Sequence, residues 1–104
     1  MRERRYTVVP SRLAERDLDR LSSSDAERAA RALLALEEDP LRGKTLKGSH
    51  APARRIDFGL SAEWYPAAYV VDVESDPVLV FMIGPRGGFY EEAVRRLGAL
   101  RRTR

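Results

Sequence analysis

The sequence predicts an α+β domain with a small, antiparallel-rich, four-stranded sheet, two N-terminal helices packed on that sheet and one C-terminal helix. Three observations support this fold class. Apolar side chains recur at the helical period in residues 11–39 and again in 89–100. Three runs between residues 53 and 83 have strand patterns, and turn-forming residues separate the segments. The resulting element order is β-α-α-β-β-β-α.

The first two predicted elements are a strand and a helix. Residues 6–9 (Tyr-Thr-Val-Val) favour a strand that stops at Pro10, and Ser11 is suited to cap the helix that follows. The apolar stripe of this helix consists of Ala14, Leu18 and Leu21. The charged side chains expected to face outward are Arg12, Glu15, Arg16 and Asp19.

A second helix is predicted to begin at Ser24. Ser24-Asp-Ala-Glu27 has the spacing of a capping box, in which the serine oxygen and the glutamate each accept a free backbone N–H. The apolar face that follows consists of Ala26, Ala29, Ala30, Leu33, Leu34 and Leu36. Asp39-Pro40 ends the segment, because proline disfavours helix in the residue before it. The two helices are joined by a short connection, so we expect them to pack antiparallel.

Residues 41–52 lack a sustained period and are predicted to form a loop. In the strand that follows, residues 53–58, Arg55 and Asp57 alternate with Ile56 and Phe58, which is typical of a half-buried strand.

Two more strands, residues 65–73 and 78–83, are joined by a hairpin connection. Gly84-Pro-Arg-Gly-Gly88 ends the last strand, and apolar residues at helical spacing from Phe89 to Leu100 predict the final helix.

Several classes of protein are disfavoured by the residue content. The chain has no cysteine, which excludes a disulfide framework, a thiolate nucleophile and a Cys-rich zinc site. Its one histidine, His50, lies in a predicted loop without nearby carboxylates, so no metal site and no cofactor are expected. No apolar run approaches the ~20 residues that a membrane span needs. We expect no contact with a membrane and a cytoplasmic location.

Charge indicates the kind of partner. Nineteen Lys and Arg against sixteen Asp and Glu give a net charge of +3 and a pI near 9.7. Residues 42–55 contain no acid, and their basic residues are Arg42, Lys44, Lys47, Arg54 and Arg55. This segment favours a polyanion such as RNA, or an acidic protein.

Five short strings, taken in order, resemble the RelE/ParE superfamily of bacterial toxins from type II toxin–antitoxin systems. They are Asp39-Pro40, Thr45-Leu-Lys-Gly48, Ala53-Arg-Arg-Ile56, Tyr65-Pro-Ala-Ala-Tyr-Val-Val-Asp72 and Ile83-Gly-Pro-Arg-Gly-Gly-Phe-Tyr-Glu-Glu-Ala93. The resemblance covers nearly the whole chain. It implies one toxin domain over residues 1–100, followed by a basic tail at 101–104.

In the ribonuclease branch of this superfamily, the toxin enters the ribosomal A site and cuts messenger RNA. The resemblance therefore implies mRNA and the ribosome as targets, and a cognate antitoxin that binds the toxin in a hetero-oligomer. By local pattern, the catalytic candidates are Arg55, Arg86 and Tyr90. Each of them also has a purely structural alternative. Arg55 can be an ordinary charged residue of a strand, Arg86 a residue of a tight turn, and Tyr90 an aromatic residue of the core.

RNA cleavage through the 2′-hydroxyl needs no metal if side chains supply its charges and protons. Arg55 and Arg86 can stabilise the phosphorane, because a guanidinium presents several fixed donors to phosphate oxygens. Tyr90 can stack on a base or transfer a proton. Asp57 can act as the general base, or it can form a structural ion pair with Arg55.

RNA-binding candidates surround these positions. Lys44, Lys47, His50 and Arg54 can bind phosphates; the structural alternative for Lys44, Lys47 and Arg54 is a solvated basic loop. Trp64 is either a core residue or a base-stacking platform.

One departure from the superfamily pattern leaves alternatives open. Many ribonuclease members carry Tyr-Arg-x-x-Tyr on a strand, whereas this chain has Pro66 after Tyr65. The alternatives are a ParE-like inhibitor of DNA gyrase and a catalytically inactive domain that binds an antitoxin.

Overall fold

The computed structural model describes residues 6–46, 53–61, 63–71 and 77–102. The strands are β1 (Val8–Pro10), β2 (Lys44–Thr45), β3 (Ala53–Gly59), β4 (Trp64–Val71) and β5 (Val78–Ile83). The helices are α1 (Arg12–Asp19), α2 (Ser23–Leu34) and α3 (Phe89–Arg102), and a 3-10 turn, Ala35–Glu37, extends α2. The α+β class and the three predicted helices are confirmed. Among these residues, no helix is both long and apolar enough to cross a membrane.

The described strands form one five-stranded mixed sheet in the order β1-β5-β4-β3-β2. The predicted count of four strands is wrong, because the two-residue strand β2 lies in the segment predicted as loop. So short a strand leaves no periodic signal. β1 runs parallel to β5, while the other neighbours are antiparallel. β1 also includes Pro10, which the prediction placed after the strand; an edge strand tolerates the missing N–H.

Capping serines begin both N-terminal helices. Ser11 caps α1 as predicted, since its Oγ accepts from the Ala14 N–H at 3.1 Å. The predicted cap of α2 at Ser24 is wrong: Ser22 is the cap, and its Oγ accepts from the Asp25 N–H at 3.2 Å. The Asp25 carboxylate is then free to accept from Ser61, whose N–H lies 3.1 Å away.

Apolar side chains pack on both faces of the sheet. On one face, α1 and α2 contribute Ala14, Ala29, Leu33 and the 3-10 residue Leu36. Ala30 and Leu34, predicted to join this face, are exposed on the other side of α2. On the opposite face, α3 contributes Phe89, Ala93 and Leu97, which pack on Ala53, Ala68, Phe81 and Met82.

A β-bulge in β5 shapes the α3 side of the sheet. Ala68 pairs with Met82, but the next residue, Tyr69, pairs with Val80, so Phe81 is extra. Phe81 and Met82 therefore both face α3.

A buried ion pair joins α1 to α3 across the edge of β5. In the described part of the chain, β1 pairs with β5 only as far as Val80. Beyond that point, Asp17 accepts from the Ile83 N–H at 2.9 Å, and Arg96 donates to the Phe81 carbonyl at 3.0 Å. Arg96 also donates to Asp17 at 2.8 Å. These bonds replace the missing strand neighbour and fix the position of α3.

Candidate functional site

The sheet face that meets α3 carries four of the predicted site residues. Arg55 and Asp57 project from β3 on this face, since they alternate with Ile56 and Phe58, which pack with the α1 and α2 core. Cross-strand partners share a face, which adds Lys44 beside Arg55, and Pro66 beside Asp57. Trp64 is two residues from Pro66 and shares its face. We call the exposed part of this surface, formed by Lys44, Arg55, Asp57 and Trp64, the α3-side face.

Two contacts hold the Arg55 side chain. Its guanidinium carbon lies 5.2 Å from the centroid of the Phe89 ring, a cation–π distance. Its Nε and Nη2 atoms each lie 3.2 Å from Oδ1 of Asp57. The side chains of Arg55 and Asp57 remain 37% and 49% exposed, so the pair is accessible to a ligand.

Along the chain, Phe89 lies between the other two catalytic candidates, Arg86 and Tyr90. It is 2% exposed, and its N–H donates to the Arg86 carbonyl at 3.1 Å. Tyr90 follows directly and is 38% exposed. Gly88 has a φ of +69°, a conformation that suits glycine and that turns the chain into α3. The backbone of Arg86 and Tyr90 thus borders the aromatic residue that supports Arg55, and Arg86 is itself exposed.

Pro66 occupies the centre of this region. It is one of the most completely buried residues, and its carbonyl accepts from the Gly84 N–H at 2.7 Å. A Cβ at Gly84 would lie 2.7 Å from Cδ of Pro66, so packing against this proline requires glycine at position 84. Proline is tolerated in this central strand because its nitrogen faces the position just after β5 ends. The α3-side face therefore has no cation at position 66.

Solved structures that share this architecture include RelE toxins. A mutant of the E. coli toxin RelE in the free state superposes with a TM-score of 0.72 at 25% identity, covering 88% of this chain and 97% of that one. The M. tuberculosis toxin–antitoxin complex RelBE2 gives 0.70 at 26% identity, covering 82% and 95%. The chain is similar to these RelE toxins in fold and, at about a quarter of aligned positions, in sequence.

A more distant RelE has the same fold. The archaeal RelE–RelB complex from Pyrococcus horikoshii matches with a TM-score of 0.60 at 20% identity, over 79% of this chain and 96% of that one. At this identity the likeness concerns the fold alone. No family model and no curated protein matches the sequence.

Arg54 lies on the opposite face of β3 from Arg55. Its Nη1 donates to the carbonyl oxygens of Leu41 and Gly43 at 3.2 and 2.6 Å. Gly43 in turn donates its N–H to the Tyr69 hydroxyl at 3.0 Å. Burial raises the pKa of the Tyr69 phenol above its usual 10.0, so the hydroxyl stays neutral and accepts this bond. Arg54 therefore braces the segment that leads into β2.

The other RNA-binding candidates are distributed along the α3-side face or lie outside the described residues. Lys44 is exposed and neighbours Arg55. Trp64 is 59% exposed, which rules out its alternative as a core residue. Lys47 and His50 lie outside the described residues. Within the described ranges, no group of three or more His, Cys, Asp or Glu side chains is arranged to hold a metal ion.

Sequence reasoning missed three residues that shape the site. Phe89 was predicted only as a core residue of the last helix. Nothing in the residues around it indicates that its ring contacts Arg55. Asp17 and Arg96, which anchor α3, were not singled out. One signal was available: Asp17 directly precedes Leu18 of the predicted apolar stripe, where a charge is expected to have a partner.

Proposed function

We propose that this toxin is a metal-independent endoribonuclease that cuts messenger RNA in the ribosomal A site. The contact between the Arg55 guanidinium and the Phe89 ring carries the proposal. Phe89 donates its N–H to the Arg86 carbonyl and directly precedes Tyr90, which supports a site that draws on Arg55, Arg86 and Tyr90. Arginine and aromatic side chains are the groups that bind phosphate and unstacked bases.

The proposed reaction is an attack within the RNA chain. The 2′-hydroxyl loses its proton, its oxygen attacks the adjacent phosphorus, and the bond to the 5′-oxygen breaks as that oxygen gains a proton. The products are a 2′,3′-cyclic phosphate and a 5′-hydroxyl. Arg55 and Arg86 stabilise the phosphorane, because guanidinium groups stay charged at any relevant pH and offer fixed donors. Tyr90 either stacks on a base or protonates the departing oxygen.

Asp57 has two competing roles in this scheme. As the general base it accepts the 2′-hydroxyl proton, for which its half-exposed carboxylate is accessible. As an ion-pair partner it orients Arg55 and repels the phosphate. The 3.2 Å contact with Arg55 supports the second role, and a substrate phosphate that takes over Arg55 frees the carboxylate for the first.

The RNA path in this proposal extends from Arg55 in both directions. Lys44 on β2 supplies a phosphate contact on one side. Trp64 at the start of β4 supplies a flat, exposed surface for a base on the other. Lys47 and His50 are retained as further phosphate contacts, each of which makes binding more sensitive to salt. Arg54, on the other face of β3, acts through the backbone segment that it holds in place.

A cognate antitoxin is the proposed protein partner. The M. tuberculosis neighbour is a toxin–antitoxin complex, and an E. coli RelE structure contains the antitoxin peptide RelBc. By analogy, this toxin forms a hetero-oligomer with its own antitoxin in the cytoplasm. An acidic antitoxin segment suits the net charge of +3.

A second candidate function is inhibition of DNA gyrase, as in the ParE branch. The buried Pro66 favours it, because the strand arginine of many ribonuclease members is missing at that position. A supercoiling assay with purified gyrase separates the two functions. A third candidate, an inactive antitoxin-binding domain, predicts that the chain alone alters neither RNA nor supercoiling.

The first test is expression of the chain alone in bacteria. We expect growth arrest, with mRNA cuts that depend on translation. Arg86→Ala should relieve the arrest, while Arg12→Ala, which removes an exposed arginine on α1, should not. Normal growth of cells that contain the folded chain would contradict the proposal.

A further inference from the structure

A cleft of about 490 Å³ opens at the edge of β3, next to the site described above. Its floor is apolar and consists of Ala32 and Ala35 from the α2 end, with Ile56 and Phe58 from β3. Its rim carries Arg42 and Lys44 together with the Arg55–Asp57 pair. The volume lies within the range of small-ligand sites, which are typically ~300–1,000 Å³.

The cleft exists because β2 is short. β2 pairs with only Arg54 and Arg55, so β3 continues past the end of its neighbour. The carbonyl of Ala53 accepts from the Leu46 N–H at 3.1 Å, so the backbone polar groups of Ala53 point toward β2. Along a strand these groups alternate in direction, so those of residues 55 and 57 point to the same side as those of Ala53. By the same alternation, the backbone N–H and carbonyl of Asp57 point into the cleft.

The wall formed by residues 42–44 is held in place before any ligand binds. The Gly43 N–H donates to Tyr69, and its carbonyl accepts from Arg54. A Cβ at Gly43 would lie 2.6 Å from the Arg55 carbonyl and 2.7 Å from the Tyr69 hydroxyl, so only glycine allows this close approach. A fixed wall reduces the entropy that binding has to overcome.

The chemistry of the cleft selects its ligand. The cleft lining includes three cations, Arg42, Lys44 and Arg55, and one acid, Asp57, and this balance favours a phosphate. The apolar floor favours a flat body such as a base. The Asp57 backbone adds one donor and one acceptor, which can distinguish the edges of different bases. A nucleotide combines all of these features.

We infer that the cleft between α2 and β3 binds one nucleotide of the RNA that flanks the cleaved linkage, and that it contributes base preference. This inference rests on the proposed ribonuclease function and deepens it. Arg55 and Asp57 belong both to the cleft rim and to the proposed catalytic group, so an RNA strand crossing β3 reaches both. A peptide that pairs with β3 as an added strand fits this cleft less well. The edge of β3 that β2 leaves unpaired offers only residues 56–58 before the strand ends at Gly59, which is too short for a stable strand pair.

The test is titration of the full chain with each of the four 5′-mononucleotides and with inorganic phosphate. Arg86→Ala is included in every protein to limit toxicity during expression, and Arg86 is not part of the cleft. Ala35→Leu fills the floor without changing charge. Ala30→Leu is the matched control, since it is the same substitution at an exposed position of the same helix.

We expect at least one nucleotide to bind roughly 10-fold more tightly than phosphate, and Ala35→Leu to weaken that nucleotide by roughly 10-fold. Ala30→Leu should bind like the parent. Arg42→Ala, which leaves the floor intact, should weaken the nucleotide and reduce the salt dependence of binding. Thermal melting of each variant checks that it folds, and Arg42→Ala gives a reading if Ala35→Leu does not fold.

The inference is overturned if no nucleotide binds more tightly than phosphate, or if Ala35→Leu and Arg42→Ala both bind like the parent. It is also overturned if an acidic peptide displaces the nucleotide while RNA does not. These results leave the ribonuclease proposal standing when Arg86→Ala still relieves growth arrest. If Arg86→Ala does not relieve the arrest, the proposed function fails by a separate measurement.

Discussion

The ion pair between Asp17 and Arg96 makes a sharp prediction about stability. Asp17 is 7% exposed and accepts hydrogen bonds from Ile83 and Arg96, and the Arg96 side chain is 13% exposed. Burial disfavours the Arg96 charge, but the bonds to Asp17 and Glu92 outweigh this effect and raise the Arg96 pKa. Arg96 is therefore charged at every accessible pH.

Replacing Arg96 with Met keeps much of the side-chain volume and removes the charge. Asp17 then keeps a buried carboxylate without its closest cation. Breaking a buried pair in this way costs ~3–5 kcal/mol. Arg20 lies 3.7 Å from Asp17, but its side chain is 77% exposed and compensates little. We expect a loss near ~3 kcal/mol, a large part of the stability of a domain of this size.

Arg95→Met provides the matched control. Arg95 is adjacent in α3 and pairs with Glu92, but its side chain is 76% exposed. Surface pairs of this kind contribute ~0–1 kcal/mol, so this variant should unfold within about 0.5 kcal/mol of the parent. Urea denaturation monitored by circular dichroism measures both. Equal losses in the two variants would refute the claim that the Asp17 bond anchors α3.

Three further predictions concern the site and its supports. Asp57→Asn should tighten RNA binding in either of the two roles of Asp57, but only loss of a general base should also lower the cleavage rate measured on ribosomes. The hydrogen bond from Arg96 lowers the pKa of Glu92 from its usual 4.5. The stability that Glu92 contributes to the folded state is therefore complete above pH 4.5, and it is lost as the pH falls through the lower pKa that Glu92 has in the folded protein. The difference in unfolding free energy between the parent and Glu92→Gln should accordingly shrink in acid. Tyr69→Phe should cost ~1–3 kcal/mol of stability in urea, because the Gly43 N–H loses its partner, and it should weaken nucleotide binding in the cleft.

Much of the fold could be predicted because short-range patterns determine it. Ser11 caps α1, and the stripe of Ala14, Leu18 and Leu21 packs on the core, as their spacing indicates. The cap of α2 was misplaced because Ser22, Ser23 and Ser24 all offer the same hydroxyl. The structure shows which of the three serves, because the Ser22 Oγ accepts from the Asp25 N–H.

Features that depend on distant contacts could not be predicted. β1 pairs with β5 about seventy residues away, and no local pattern reports that this pairing is parallel. The bulge at Phe81 changes which side chains face α3 without changing the apolar character of the strand.

The candidate site was predictable by residue type and not by arrangement. Arg55 and Asp57 were expected on one face from the strand alternation, and the ion pair between them is one of the two roles that we considered. Their relation to Phe89 depends on how α3 docks, which in turn depends on Asp17 and Arg96. The roles of Arg55, Arg86 and Tyr90 in RNA cleavage stay predictions.

Cleavage of a defined mRNA on programmed ribosomes tests the central claim most directly, with the 3′ ends of the products identified chemically. We predict a 2′,3′-cyclic phosphate end in the parent reaction, cuts that vanish without ribosomes, and a rate lowered roughly 100-fold or more by Arg86→Ala but unchanged by Arg12→Ala. Intact mRNA, or a rate that Arg55→Ala and Arg86→Ala both leave unaltered, would contradict the assignment of this surface as a ribonuclease site.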